Sequence, residues 1–130
     1  MKNRNVTLED LEKEKWGEPE FSSHLVTECH RLRKVPLSLF TIENLRIMIG
    51  QGFSLEHLVP IALEKLSENP FAEGDYYPGD LLKAVLSIKW DFWENNQDHF
   101  GDLQDVMSKV SKLVELSEKE LLPCWQSYFK

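Results

Sequence analysis

Apolar residues recur along the chain at three- and four-residue intervals, interrupted by capping residues, Gly and Pro, a periodicity that predicts helices almost throughout. Thr7, followed by Leu8, Leu11 and Trp16 with Asp10 three places on, marks a capped first helix that Trp16-Gly17-Glu18-Pro19 stops. A second helix is expected from about Ser22 to Lys34, where Leu25, Val26, Cys29 and Leu32 share a face and Pro36 sets the limit. Thr41 can cap a third, with Ile42, Leu45, Met48 and Ile49 as its apolar face and Gly50-Gln51-Gly52 as its end. Ser54 starts a fourth through Leu58, Val59, Ala62, Leu63 and Leu66; Pro60 should kink it, and Asn69-Pro70 closes it.

After residue 80 the pattern resumes. Leu81, Leu82, Val85, Leu86 and Ile88 predict a helix of about three turns, with Gly79-Asp80 offering an N-cap. Trp90 to Phe100 is expected to be helix followed by irregular chain, because Asn95-Asn96 and Asp98 favour a turn. Leu103, Val106, Met107, Val110, Leu113 and Val114 form the cleanest stripe, started by Gly101-Asp102. Leu121, Leu122, Trp125 and Phe129 are expected to dock a last short helix, with Pro123 near its beginning. No strand alternation or internal repeat competes, so the expected fold is all-α: a single-domain bundle of six or seven short helices over residues 1–130.

Composition narrows the function. The 22 acidic and 15 basic residues give a formal charge of −7, which argues against direct nucleic-acid binding and allows a basic protein partner. Cys29 and Cys124 are far apart and outside any Cys-x-x-Cys arrangement, so two reduced thiols are expected. The first residues have a basic start without an apolar h-region, and no apolar run is long enough to cross a bilayer; a cytoplasmic location without membrane association follows as the expectation.

Residues 69–80, Asn-Pro-Phe-Ala-Glu-Gly-Asp-Tyr-Tyr-Pro-Gly-Asp, join two helical segments with aromatics and carboxylates but no basic residue. Pro and Gly make this a loop. Together with His30-Arg31-Leu32-Arg33-Lys34-Val35-Pro36-Leu37 and Phe40 to Gln51, with Leu58-Val59-Pro60-Ile61-Ala62-Leu63-Glu64 and with Trp16-Gly17-Glu18-Pro19, it resembles the immunity proteins of contact-dependent growth inhibition (CDI) systems. The resemblance covers roughly residues 7–93; from about Trp90 onward only helical character is recognised. It implies a bacterial helical protein, not an enzyme, that binds and neutralises the C-terminal domain of a cognate toxin in the cytoplasm. Toxins of these systems are often nucleases, and a nuclease's basic groove would complement the acidic chain.

Two surfaces are candidates for that contact. The first is the loop, with Glu73, Asp75, Tyr76, Tyr77 and Asp80 facing the toxin. Its motif recurs in the family, which favours the other reading: a loop that organises the helices, with Asp80 capping the next one. The second is the acidic stretch of Asp91, Glu94, Asp98, Asp102 and Asp105 beside Trp90 and Trp93, or else a solvated helix start with the tryptophans partly in the core. Glu9, Asp10, Glu12 and Glu14, interrupted by Lys13 and Lys15, read as a solvated face.

Other chemistry finds little support. His24, Cys29 and His30 lie on different helical directions and lack a fourth ligand, so neither a metal nor a cofactor is expected. Neither cysteine has the neighbouring base of a catalytic thiol. Arg31, Arg33, Lys34 and Arg46 read as helix-end charges and salt bridges near the core rather than an RNA patch. The rival function from another class is an acidic helical adaptor, or a self-associating interaction module without a toxin partner. One helical pattern does not set an oligomeric state.

Overall fold

The structure is a computed structural model that describes residues 4–18 and 23–130. Its helices are α1 (Leu8–Glu12), α2 (His24–Leu32), α3 (Ile42–Gly50), α4 (Leu55–Glu68), α5 (Asp80–Leu86), α6 (Trp90–Glu94) and α7 (Gln97–Leu116). A π turn over Ser117–Leu121 carries α7 on into α8 (Leu122–Gln126). No strand forms among the described residues, as expected for an all-α bundle; the helices are short except α7, whose 20 residues span about 30 Å.

Local capping explains the starts. Thr7 and Asp10 exchange reciprocal hydrogen bonds of 3.1 Å, and Thr41 and Asn44 do the same at 3.0 and 3.1 Å, so each motif satisfies two backbone N–H groups. Ser23 accepts from the Val26 N–H and caps α2. The expected start at Ser22 and the stop at Pro19 lie outside the described residues.

Several ends differ from expectation. α1 stops at Glu12, before Trp16, because Lys13 turns into the left-handed region at φ 54°. Between α6 and α7 only Asn95 and Asn96 are irregular; their side-chain amides donate to the Asp91 and Phe92 carbonyls and close α6. The chain then re-enters helix at Gln97, ahead of the expected start at Gly101-Asp102. Helix α4, by contrast, runs through Pro60 and ends before Asn69-Pro70 as expected.

Helix α4 is the centre of the core. Leu58, Val59, Ile61, Ala62, Leu63 and Leu66 are all buried on it, and α3, α5 and α7 pack around it. Each of the Leu, Val and Ile side chains contributes roughly 1.5–3 kcal/mol by leaving water. α3 also packs on α5 and α2, and Trp93 of α6 seals the base of α7 with Leu103 and Val106.

The end of the last helix departs from the expected docking. Lys109 donates to the Ser67 carbonyl at 2.7 Å, in the final turn of α4, and shortly past this point the helix leaves the described body. From Ser111 onward every residue except Ser117 is exposed, so Leu121, Leu122, Trp125 and Phe129 project instead of packing on the body. Pro123 has no N–H and crowds the carbonyl four residues back; the π turn just before it gives the widening that lets the helix continue.

The segment before α2 is tied down by one buried cation. Arg33 is 2% exposed; its guanidinium pairs with Glu12, donates to the Glu14 carbonyl at 2.8 Å and lies 4.5 Å from the Trp16 ring centroid. Glu12 also accepts from Ser54, which joins α1 to the start of α4. Arg33→Ala should therefore lower stability by about 3 kcal/mol, because it leaves the Glu12 carboxylate uncompensated and opens a cavity. Chemical denaturation checks this, with Arg33→Lys expected to recover only part of the loss, since an ammonium lacks the guanidinium's fork.

Candidate partner-binding surface

Residues 69–80 begin as α4 ends. The Asn69 side chain accepts from the Phe71 N–H at 3.0 Å, an Asx turn that redirects the chain at buried Pro70. Gly79 then adopts φ 94°, which an L side chain rarely tolerates, and its N–H bonds to the Phe71 carbonyl at 3.2 Å. Glu73 and Pro78 face each other across an isolated antiparallel bridge, so the loop folds back on itself.

Asp80 holds the folded loop from beneath. Its carboxylate accepts from the N–H groups of Gly74 at 2.7 Å, Tyr76 at 3.1 Å and Tyr77 at 3.5 Å, and the side chain is 4% exposed. This corrects the expectation that Asp80 caps α5 or meets a partner: it is the first residue of that helix, Gly79 is the cap, and its oxygens are spent on the loop behind it. A second carboxylate supports the loop from α3. Glu43 accepts from the Asp75 N–H at 3.0 Å and from Arg46 in two bonds of 2.6 Å. Arg46 also lies 3.9 Å from Asp80 and stacks 4.4 Å from the Tyr76 ring centroid.

These contacts shift the titration of both acids. The bonds from Arg46 lead in holding the Glu43 carboxyl below the usual range, helped by the Asp75 N–H against the cost of burial. For Asp80 burial is the largest influence and pushes upward, but the three backbone N–H bonds and Arg46 together outweigh it, leaving the carboxyl below its ordinary value. Arg46 is raised in turn, chiefly by its bonds to Glu43.

What remains on the outside is Tyr76 (71% exposed), Tyr77 (49%), Phe71 (42%) and the carboxylates of Glu73 and Asp75. The loop thus presents aromatic rings and acidic groups on a backbone fixed at its base. In the second region Asp91, Glu94, Asp98, Asp102 and Asp105 are exposed, the last three at helical spacing on α7, and Trp90 is half exposed. Trp93 is 3% exposed, meets Phe92 edge-on and lies tilted against Phe100, so, like Asp80, it faces the interior and not a partner.

Glu43 and Gly74, both central to this geometry, were not among the sequence candidates, while Arg46 was expected in a salt bridge near the core but not beneath this loop. The signal available was an acid and a base three apart on α3, which alone describes an ordinary helix pair. Gly74 carries no sequence signal beyond its place in a loop, yet a Cβ there would stand 2.5 Å from Glu43 Oε1 and 3.0 Å from Asp80 Oδ2.

The remaining polar candidates are occupied by structure. His30 Nδ1 lies 2.9 Å from the Gly17 carbonyl and its ring meets Trp16 edge-on. Arg31 pairs with Glu28, Cys29 is buried and Cys124 is exposed. Among the described residues no group of His, Cys, Asp or Glu is arranged to hold a metal ion. None of the described helices is long and apolar enough to cross a membrane.

The loop that carried the resemblance thus rests on one partly buried network joining α3, the loop and α5. A family model for CDI immunity proteins matches residues 10–103. The chain belongs to this family. Membership implies a protein that neutralises a CDI toxin, and the match reaches past Trp90 to Leu103, further than the roughly 7–93 expected from the motifs. It takes in both acidic regions except Asp105 and ends inside α7, ahead of the projecting segment. A comparison with curated proteins finds no match.

Two predictions follow from the network under the immunity protein's loop. Because Asp80 and Glu43 are depressed, their contribution is full above the unfolded carboxyl values of about 4 and is lost as pH falls through the lower folded values. Thermal melts from pH 7 down to about pH 2.5 should show this loss, and Asp80→Asn should cost about 2 kcal/mol at neutral pH while flattening the acid limb. Gly74→Ala should displace Glu43 from the Asp75 N–H and cost about 1–2 kcal/mol, whereas Gly17→Ala, with open space around it, should change stability by less than about 0.5 kcal/mol.

Proposed function

We propose that this immunity protein binds one cognate toxin C-terminal domain, a basic nuclease, and covers its active site or substrate groove. Residues 1–130 act as one helical immunity domain in the cytoplasm, forming a stoichiometric complex without catalysis, cofactor, membrane or direct nucleic-acid contact. The observation that carries this reading is the loop: Tyr76 and Tyr77 stand exposed on a backbone locked by Asp80 and Glu43, with Glu73 and Asp75 free beside them. Anchors already fixed in place lose little entropy on binding, so they favour slow dissociation.

Charge supports the same reading. Residues 1–108 hold 19 acidic and 11 basic side chains, a balance of −8, so the body attracts a basic domain and speeds encounter. Asp91, Glu94 and Asp98 extend the acidic surface. In this reading they steer, while the tyrosines, the larger desolvating groups, hold.

Co-expression with the toxin domain encoded directly upstream tests the proposal. Growth should be rescued and a one-to-one complex should form; neither rescue nor complex would sink it. Tyr76→Ala with Tyr77→Ala should raise Kd by about 30-fold or more, mostly through dissociation. Replacing Asp91, Glu94 and Asp98 by Asn or Gln should instead slow association, and wild-type association should fall about tenfold or more from low to high salt. An association rate indifferent to salt would rule out the steering role.

A further inference from the structure

The exposed apolar face of the final helix takes no part in the toxin contact proposed above. Leu113, Val114, Leu121, Leu122, Trp125 and Phe129 are between 39% and 70% exposed, although the same helix buries Leu103 and Val106 lower down. The stripe therefore begins as core and runs off the body beyond the end of α4. Helical spacing gathers these side chains into one broad band.

We infer that this face pairs with the same face of a second copy of the chain, antiparallel and about a two-fold axis. Three observations select that occupant. The first is charge. Residues 109–130 carry four lysines and three glutamates, a balance of +1, against −8 for residues 1–108. The bodies repel one another, and the projecting helix is the part of the chain that two copies can bring together without that cost. Antiparallel pairing sends the two acidic bodies to opposite ends; parallel pairing would crowd them at one end.

The second observation is fit. The body covers the stripe up to Met107 and part of Val110, so a pair can use residues from about 110 to 129, which puts its axis near residues 119 and 120. Trp125 falls beside Val114 of the second copy, and Phe129 beside Val110. Rings from the tip thus meet smaller aliphatic side chains from the root, where parallel pairing would stack ring on ring and leave gaps at Val114.

The third observation is area. Trp125, Tyr128 and Phe129 are 58%, 80% and 70% exposed. Aromatic side chains bury roughly 150–250 Å² each. Six rings in a pair, with Leu113, Val114, Leu121 and Leu122 from both copies, reach about the 1,200 Å² at which stable interfaces begin.

Sedimentation of the full chain without toxin tests this. The wild type should be dimeric at about 50 µM, with Kd of roughly 1–10 µM. Trp125→Glu with Phe129→Glu should be monomeric at the same concentration and keep the melting transition of the body. A wild type that stays monomeric at about 200 µM, or a double variant that stays dimeric, would overturn the inference.

Exposed Cys124 reports the direction of pairing. In the antiparallel register the two thiols belong to residues roughly 13 Å apart along the axis, beyond disulfide reach, so mild oxidation should leave the dimer uncrosslinked. A Cys124–Cys124 disulfide in the wild-type dimer would overturn the antiparallel arrangement. Toxin binding by the monomeric double variant should match the wild type, which keeps this outcome separate from the fate of the toxin proposal.

Discussion

A carboxylate with almost no access to water organises the loop that this protein shows to the outside. Asp80 collects three backbone N–H groups from a stretch of chain that makes neither helix nor sheet, groups that helix or strand pairing leaves without a partner there. Burial alone would favour the neutral acid; the N–H donors and Arg46 reverse this and keep it charged. Because Asp80 is also the first residue of α5, the loop's shape and the helix's position are set together. Glu43 and Arg46 extend that coupling to α3, so the aromatic tip rests on two helices at once.

This arrangement separates two duties within one short motif. Gly74, Gly79 and Asp80 answer to backbone geometry, since a Cβ, an L side chain at positive φ or a lost acceptor would each disturb the fold. Tyr77, Glu73 and Asp75 expose side chains whose replacement leaves those bonds in place. Tyr76 belongs partly to both groups: its N–H bonds to Asp80 and its ring lies against Arg46, yet most of its surface is open. A loop built this way can keep one conformation while its exposed side chains are matched to a partner.

Much of this was legible in the sequence, and the limits follow from range. Thr7 with Asp10 and Thr41 with Asn44 act within a single turn, so the helix starts could be read locally. The apolar face of α4 was equally legible, because its period needs no knowledge of neighbours, although not that this helix is the centre of the core. The network under the loop could not be read that way, since Glu43 and Asp75 are 32 residues apart and nothing local pairs them. Lys13 ended α1 early through a left-handed turn with no Gly to announce it. The stripe on α7 is legible as a helix, whereas the expected docking of Leu121, Leu122, Trp125 and Phe129 fails, because periodicity reports that a face is apolar and not where its neighbour stops.

That last mismatch separates the molecule into regions governed by different forces. Acidic groups on the body act over a Debye length and weaken in salt, whereas apolar side chains on the projecting helix act at contact and persist in it. The tyrosine loop sits where the chain leaves α4, and α7 passes beyond that same point before its stripe becomes exposed. Pairing through the helix removes apolar surface from water while leaving the loop's Tyr76 and Tyr77 uncovered by their own chain. The acidic surface, which opposes self-association, is the one that favours a basic partner, so the charge that sends the bodies apart in a pair is the charge that leaves each free to capture its target.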